Sequence, residues 1–272
     1  MFNRRPDIDN IFLPDYIDSV KNHPYCLKNP KTVGTLVSGI IIIDCMGPDF
    51  VARNFDGRIG GEGYVREDFY KKVDGMDTLL FANALWETRN CAGWKNFVIG
   101  NRDRNPRALY AEMQFAFLLM KGGADVEFVK PRSRRGFDFD LRCTGHNVYG
   151  NIDIEVKNRG RMFRSVDYFK EYLSNFRDQI AGEGNKALLI NLDCKTFSQK
   201  SQELIDKGIQ DTLKEWKDYS FIAYTYTAMK VLEDGKRTSL ILFGGLDRNG
   251  NKPQICPKGN MLDLTYSRGF YD

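Results

Sequence analysis

Apolar and charged residues alternate in two short runs of this chain, GFDFDL at 136–141 and NIDIEVKN at 151–158. In the second run Ile152, Ile154 and Val156 alternate with Asp153, Glu155 and Lys157. Successive side chains of a strand point to opposite faces, so the two acids and the lysine share one row. In the first run Phe137, Phe139 and Leu141 alternate with Asp138 and Asp140 in the same way. Pairing the runs through a turn over Cys143 to Gly150 predicts a hairpin whose charged face gathers carboxylates from both strands.

The flanking segments follow other periods. RALYAEMQFAFLLMKGGADVEFV at 107–129 reads as a helix stopped by Gly122-Gly123 and then a strand. Val166, Phe169, Leu173, Phe176 and Ile180 have the three-and-four spacing of an amphipathic helix over 166–181, ended by Gly182 and Gly184. KALLINLD at 186–193 reads as a buried strand, so the unit is a strand, helix, strand crossover of right-handed sense. A helix is expected over 199–218, with Leu204, Ile205, Ile209, Leu213 and Trp216 apolar. After it, FIAYTYTAMKVL (221–232) and RTSLILFGGL (237–246) predict a hairpin about Asp234-Gly235. Tyr224 and Tyr226 share a strand face there, where rings can pack or stack on bases. Before residue 105 the pattern is weaker. The apolar run at 34–51 suits either a helix or a strand, and 65–90 suits one long helix or a pair broken at Gly75.

Carboxylates beside an ammonium are the chemistry of a hard-cation site. Mg²⁺ is commonly held by one or two protein carboxylates, several waters and a substrate phosphate. A lysine beside it can orient the attacking water or offset charge on a phosphorane. The chain carries, in order, a helix with Glu112, an acidic run with Asp138 and Asp140, the element Glu155-Val156-Lys157, a helix and a strand. In that order it resembles the PD-(D/E)XK nuclease superfamily over about residues 105–195. Gly136-Phe137 stands where the superfamily's proline is usually written. The motif aspartate is therefore Asp138 or Asp140, with the residues that follow favouring Asp138.

The resemblance implies an α/β fold with a restriction-endonuclease-like core, a mixed central sheet flanked by helices, over 105–272. Residues 1–104 would be a mainly helical or irregular N-terminal extension. It implies metal ligation by Asp138, Glu155 and the main-chain carbonyl of Val156, with Lys157 near the attacking water and Glu112 as an accessory acid. Asp140 is kept beside Asp138 among the candidate catalytic residues. The implied activity is that of a Mg²⁺-dependent endodeoxyribonuclease of restriction, repair or defence type, with Mn²⁺ able to substitute. Double-strand cutting would bring in a homodimer. The competing expectation is a catalytically inactive module of the same fold that binds nucleic acid or assembles a complex.

Charge sharpens the picture locally rather than globally. The formal net charge of the 272 residues is only +4, so affinity for a polyanion has to come from clusters. Lys130, Arg132, Arg134 and Arg135 precede the acidic run, and Arg159, Arg161 and Arg164 follow the second strand. They flank the acids with groups able to neutralise DNA phosphates. The six cysteines lack paired C-x-x-C spacing, and two histidines are too few for a zinc or His-based centre. His146 falls in the expected turn. The apolar run at 34–51 is shorter than the roughly twenty residues a membrane span needs. A charged start, MFNRRPD, without a secretory signal predicts a cytoplasmic protein with reduced thiols and no membrane partner.

Overall fold

A computed structural model of the chain describes residues 18–19, 22, 24–28, 33–54, 75–130, 139–177, 184–192, 197–231, 237–255 and 261–262. The chain divides into two compact units. One comprises Met1–Asn90, Trp94–Met113 and Tyr266–Asp272, the other Cys91–Gly93 and Gln114–Thr265.

The described residues of the first unit are helical: α1 (Pro24–Lys28), α2 (Val33–Met46), α3 (Pro48–Asn54), α4 (Gly75–Thr88), α5 (Trp94–Gly100) and the first turns of α6 (Pro106–Lys121). The isoleucine-rich run is thus a helix. Ser38, Ile41, Ile42, Cys45 and Met46 are buried while Ile40, Ile43 and Asp44 are less so, a three-and-four spacing that suits packing against α4. Gly75 opens α4, and the residues before it lie outside those described. Phe50 stacks on Phe81 with centroids 5.8 Å apart. The Arg102 guanidinium donates to the Cys45 carbonyl at 2.8 Å, placing a cation at the C-terminal end of α2, where the helix dipole favours one.

The second unit is built on a mixed, open sheet. Its strands are β1 (Asp125–Phe128), β2 (Leu141–His146), β3 (Gly150–Arg159), β4 (Asn185–Leu192), β5 (Tyr219–Val231), β6 (Arg237–Asp247) and the two-residue β7 (Met261–Leu262), adjacent in that order. β1, β2 and β3 pair antiparallel, β3–β4 and β4–β5 pair parallel, and β5–β6–β7 return to antiparallel. α7 (Val166–Ser174) connects β3 to β4, and α8 (Gln199–Glu215) connects β4 to β5. Ser165 and Ser198 cap these helices by accepting from Tyr168 N–H and Ser201 N–H.

Both parallel crossovers cover one face of the sheet. Phe169 and Leu173 of α7 join Ile205, Ile209 and Leu213 of α8 over Leu188, Ile190 and Leu192 of β4 and Ile222 and Tyr224 of β5. The helices approach so closely that a Cβ on Gly208 would lie 2.4 Å from the Phe169 ring. Residues of the opposite face include Ile154, Val156, Leu189 and Ala223, all buried. Gln114 of α6 reaches that face, with its Oε1 3.4 Å from the Thr225 hydroxyl. The α/β class and the helix-flanked mixed sheet are as expected.

The hairpin differs in detail from expectation. β2 begins only at Leu141 and continues to His146, so the turn shrinks to residues 147–149 and residues 131–138 lie outside those described. Gly145 at φ 70° and a register shift between Cys143 and His146 let the strand run on past Cys143. His146 closes the turn. Its Nδ1 accepts from Val148 N–H at 3.2 Å and Tyr149 N–H at 3.4 Å, which leaves the proton on Nε2, facing the Ile255 carbonyl at 3.5 Å. Burial pushes its pKa down, consistent with a neutral turn-forming ring.

Candidate active site

β3 lies where the sheet changes from antiparallel to parallel pairing, and the candidate site is built on it. In register, Glu155 stands beside Leu188, Lys157 beside Ile190 and Arg159 beside Leu192, on the face that α7 and α8 cover. The charged row therefore lies along the edge of an apolar core. The Glu155 side chain is 6 % exposed and that of Lys157 22 %. Strands of parallel sheets are commonly covered on both faces, and β3, parallel to β4 on one side, is covered in that way despite its alternating composition.

Two devices hold the row in place. The Lys157 ammonium donates to Glu155 Oε1 and sits 4.8 Å from the centre of the Phe176 ring, so an ion pair and a cation–π contact hold it together. Asp140 sits at a bend just before β2 and spans three strands. Its carbonyl accepts from Val129 N–H and its N–H donates to the Ile154 carbonyl, both at 3.0 Å. Its carboxylate Oδ2 accepts from Val156 N–H at 2.8 Å, bringing an acidic group onto the peptide that follows Glu155.

The remaining acids have other neighbours. Asp153 pairs with Arg142 of β2 at 3.1 Å, and that guanidinium lies 5.0 Å from the Phe139 ring centre, an ordinary cross-strand arrangement. Glu112, 3 % exposed, belongs to the first unit and is held by Arg104 at 2.5 Å. Asp138 lies outside the described residues. The structure thus brings together Asp140, Glu155, the Val156 backbone and Lys157 of the expected set.

Among the flanking cations, Lys130, Arg161 and Arg164 are exposed, while Arg132, Arg134 and Arg135 lie outside the described residues. Arg159 is engaged within the fold. Its Nε donates to the Arg161 carbonyl at 2.9 Å and a terminal nitrogen to Tyr168 Oη at 3.1 Å. Its guanidinium stands 4.4 Å from the Phe163 ring centre and 4.6 Å from that of Tyr172. The arginine clamps the segment entering α7 onto the carboxyl end of β3.

A polar ladder on the opposite face braces the same strand end. The Thr225 hydroxyl donates to Asn191 Oδ1 at 2.9 Å, and Asn191 Nδ2 donates to Asn158 Oδ1 at 2.7 Å. A satisfied buried network fixes register across β3, β4 and β5 immediately beside Lys157. Sequence reasoning missed this ladder and the Phe176 cover. The Asn and Thr positions in otherwise apolar runs were the available signal.

The donor set fits a hard divalent cation by chemistry. Asp140, at the bend before β2, and Glu155 of β3 offer carboxylate oxygen, and Mg²⁺ needs only one or two such groups when a phosphate completes its shell. No cluster of three or more His, Cys, Asp and Glu side chains able to hold a metal occurs among the described residues. No described helix is long and apolar enough to cross a membrane. No family model, curated protein or solved structure matches the chain.

Proposed function

We propose that this chain is a metal-dependent endonuclease with a restriction-endonuclease-like core that hydrolyses phosphodiester bonds in DNA. The observation that carries the proposal is the convergence on β3: the Asp140 carboxylate bound to the Val156 amide, one peptide from the Glu155–Lys157 pair. An ordinary sheet has little use for a carboxylate in place of a ladder carbonyl beside a second, buried carboxylate. A site that must fix two acids and an ammonium does.

In this reading Asp140 and Glu155 would hold Mg²⁺ or Mn²⁺, with Asp138 and the Val156 carbonyl as the further donors that the family resemblance implies. An ion held there would supply Lewis acidity to a phosphoryl oxygen and to a bound water. Lys157, already oriented by Glu155 and Phe176, turns its ammonium toward the attacking water and the charge that grows on the phosphorane. Lys130 and Arg161 sit exposed on the flanks, where they can neutralise DNA phosphates. The Arg159 clamp holds the strand end that carries Lys157.

The second reading, a non-catalytic nucleic-acid-binding or assembly module, draws support from the low exposure of the Glu155–Lys157 pair, since a spent site can persist as a structural ion pair. The experiment that tests the proposal is cleavage of supercoiled plasmid in Mg²⁺ or Mn²⁺. Nicking or linearisation that requires the metal and is lost in Lys157→Ala is expected.

A further inference from the structure

A second feature lies on the same sheet face, beyond the acids. At the carboxyl end of β4, beside the middle of β5 and the start of α8, a cavity of about 400 Å³ opens to solvent, lined by Phe197, Gln199, Gln202, Glu203, Asp206 and Tyr226 among others. Its volume falls in the range of small-molecule sites, roughly 300–1,000 Å³. The carboxyl end of parallel strands is also where open α/β sheets bind their ligands.

The lining is of two kinds, and each has a fixed geometry. Phe197 and Tyr226 stack with centroids 3.7 Å apart and planes 16° from parallel, forming a flat aromatic step. Asp206, also in the lining, is held by the Tyr224 hydroxyl, which donates to Oδ1 at 3.0 Å, and by Gln202. Gly244 makes the Tyr224 position possible, since a Cβ there would lie 2.5 Å from the phenolic oxygen. Desolvation raises the pKa of Asp206 despite those hydrogen bonds and the nearby Lys252, a sign that its carboxyl is drawn out of water. A flat π-surface beside amide and carboxyl groups suits a planar heterocycle with polar edges. An aliphatic ligand would leave those groups unmatched.

Register ties this cavity to the candidate active site. Arg159, Leu192 and Tyr226 occupy one row across β3, β4 and β5. Two strand spacings separate Arg159 from Tyr226, about 10 Å, and Lys157 is two residues back along β3 on the same face. α7 and α8 fill the sheet face between the two, so a strand whose phosphate lies at Glu155 and Lys157 reaches the Phe197–Tyr226 pair with a neighbouring base only by passing around the carboxyl ends of β3 and β4.

We infer that the Phe197–Tyr226 cavity binds an unstacked nucleobase of a single-stranded or locally opened nucleic-acid substrate, with an amino-bearing base preferred over thymine. The inference rests on the nuclease reading for its substrate and extends it to a strand whose bases are exposed. Stacking on an aromatic face accepts any base, whereas Asp206 and Glu203 are hydrogen-bond acceptors that reward an amino edge. Thymine has no exocyclic amino group to donate.

The test uses the full chain in EDTA, so that no bond is broken, and a single-stranded oligonucleotide with one 2-aminopurine as the probe. Stacking quenches 2-aminopurine emission, and saturable quenching is expected for the intact protein. Tyr226→Ala should weaken binding about ten-fold or more, while Tyr226→Phe, which keeps the ring, should bind like the intact protein. Among otherwise identical competitor strands, poly-thymidine should displace the probe less well than adenine-, cytosine- or guanine-bearing strands. Absence of quenching, or equal affinity in Tyr226→Ala, would overturn the inference. Plasmid cleavage without quenching would leave the nuclease reading standing and this one refuted. Quenching without plasmid cleavage would do the reverse.

Discussion

Replacing Asp140 separates its structural duty from its proposed chemical one. Asp140→Ala removes the acceptor of the Val156 N–H, on a residue only 6 % exposed, at the junction of β2 and β3. An orphaned buried donor costs about 1–3 kcal/mol, and a charged acceptor puts this bond in the upper half of that range. For a protein of this size the melting temperature falls by roughly 2–4 °C per kcal/mol, so a drop of about 5–10 °C is expected. Asp140→Asn keeps an oxygen at the same place and should cost no more than about 1 kcal/mol. It also removes the negative charge, so its metal-dependent cleavage should fall with that of Asp140→Ala. The assay is thermal unfolding of both variants beside amide exchange at Val156, which should speed up in the alanine variant alone. Equal melting temperatures for the two variants would refute the role of Asp140 as a lock on β3.

Two further predictions concern the scaffold. In the first unit, burial raises the Asp44 pKa from 3.8 to about 7. A raised carboxyl favours the protonated folded state. Its contribution is therefore fully present below pH 3.8 and is lost as pH rises through about 7. Asp44→Asn should leave urea stability unchanged near pH 4 and raise it at pH 8, by about 1–2 kcal/mol after allowance for partial solvent contact; equal gains at both pH values would contradict the assignment. Gly208→Ala tests the contact of α7 with α8. Alanine is about 1 kcal/mol the better helix former, yet its Cβ would lie 2.4 Å from the Phe169 ring. Overpacking of about 1–3 kcal/mol should outweigh the gain and lower the urea midpoint.

The outline of the second unit was legible because its periods are strong and its breakers well placed. Gly122-Gly123 ends α6 with Gly123 at φ 84°, and the apolar run of β4 follows an amphipathic helix, as a parallel crossover requires. The first unit was less so. Six of the nine residues from Val37 to Cys45 are apolar, four of them consecutive isoleucines, and such a run has little period to read. Only the burial of Ile41, Ile42 and Cys45 against α4 selects the helix. Within the site, alternation put Glu155 and Lys157 on one face but said nothing of what covers it. The cover comes from Phe176 and the two crossover helices, contacts distant in sequence. The engagement of Arg159 by Phe163, Tyr168 and Tyr172 likewise depends on how the chain turns after β3. Asp140 accepting from a β3 amide was hidden because a bend, not continued alternation, aims its carboxylate.

The most direct test of the account is strand cleavage measured on one supercoiled plasmid by the intact protein, Glu155→Gln and Lys157→Ala, each with Mn²⁺ and with EDTA. Glutamine preserves the shape of a side chain only 6 % exposed, so loss of activity reports on its charge and not on collapse of the fold. The account predicts nicking or linearisation by the intact protein with Mn²⁺ alone and none by either variant, with all three equally folded by circular dichroism. Undiminished cleavage by both variants, or no metal-dependent cleavage by the intact protein, would contradict it.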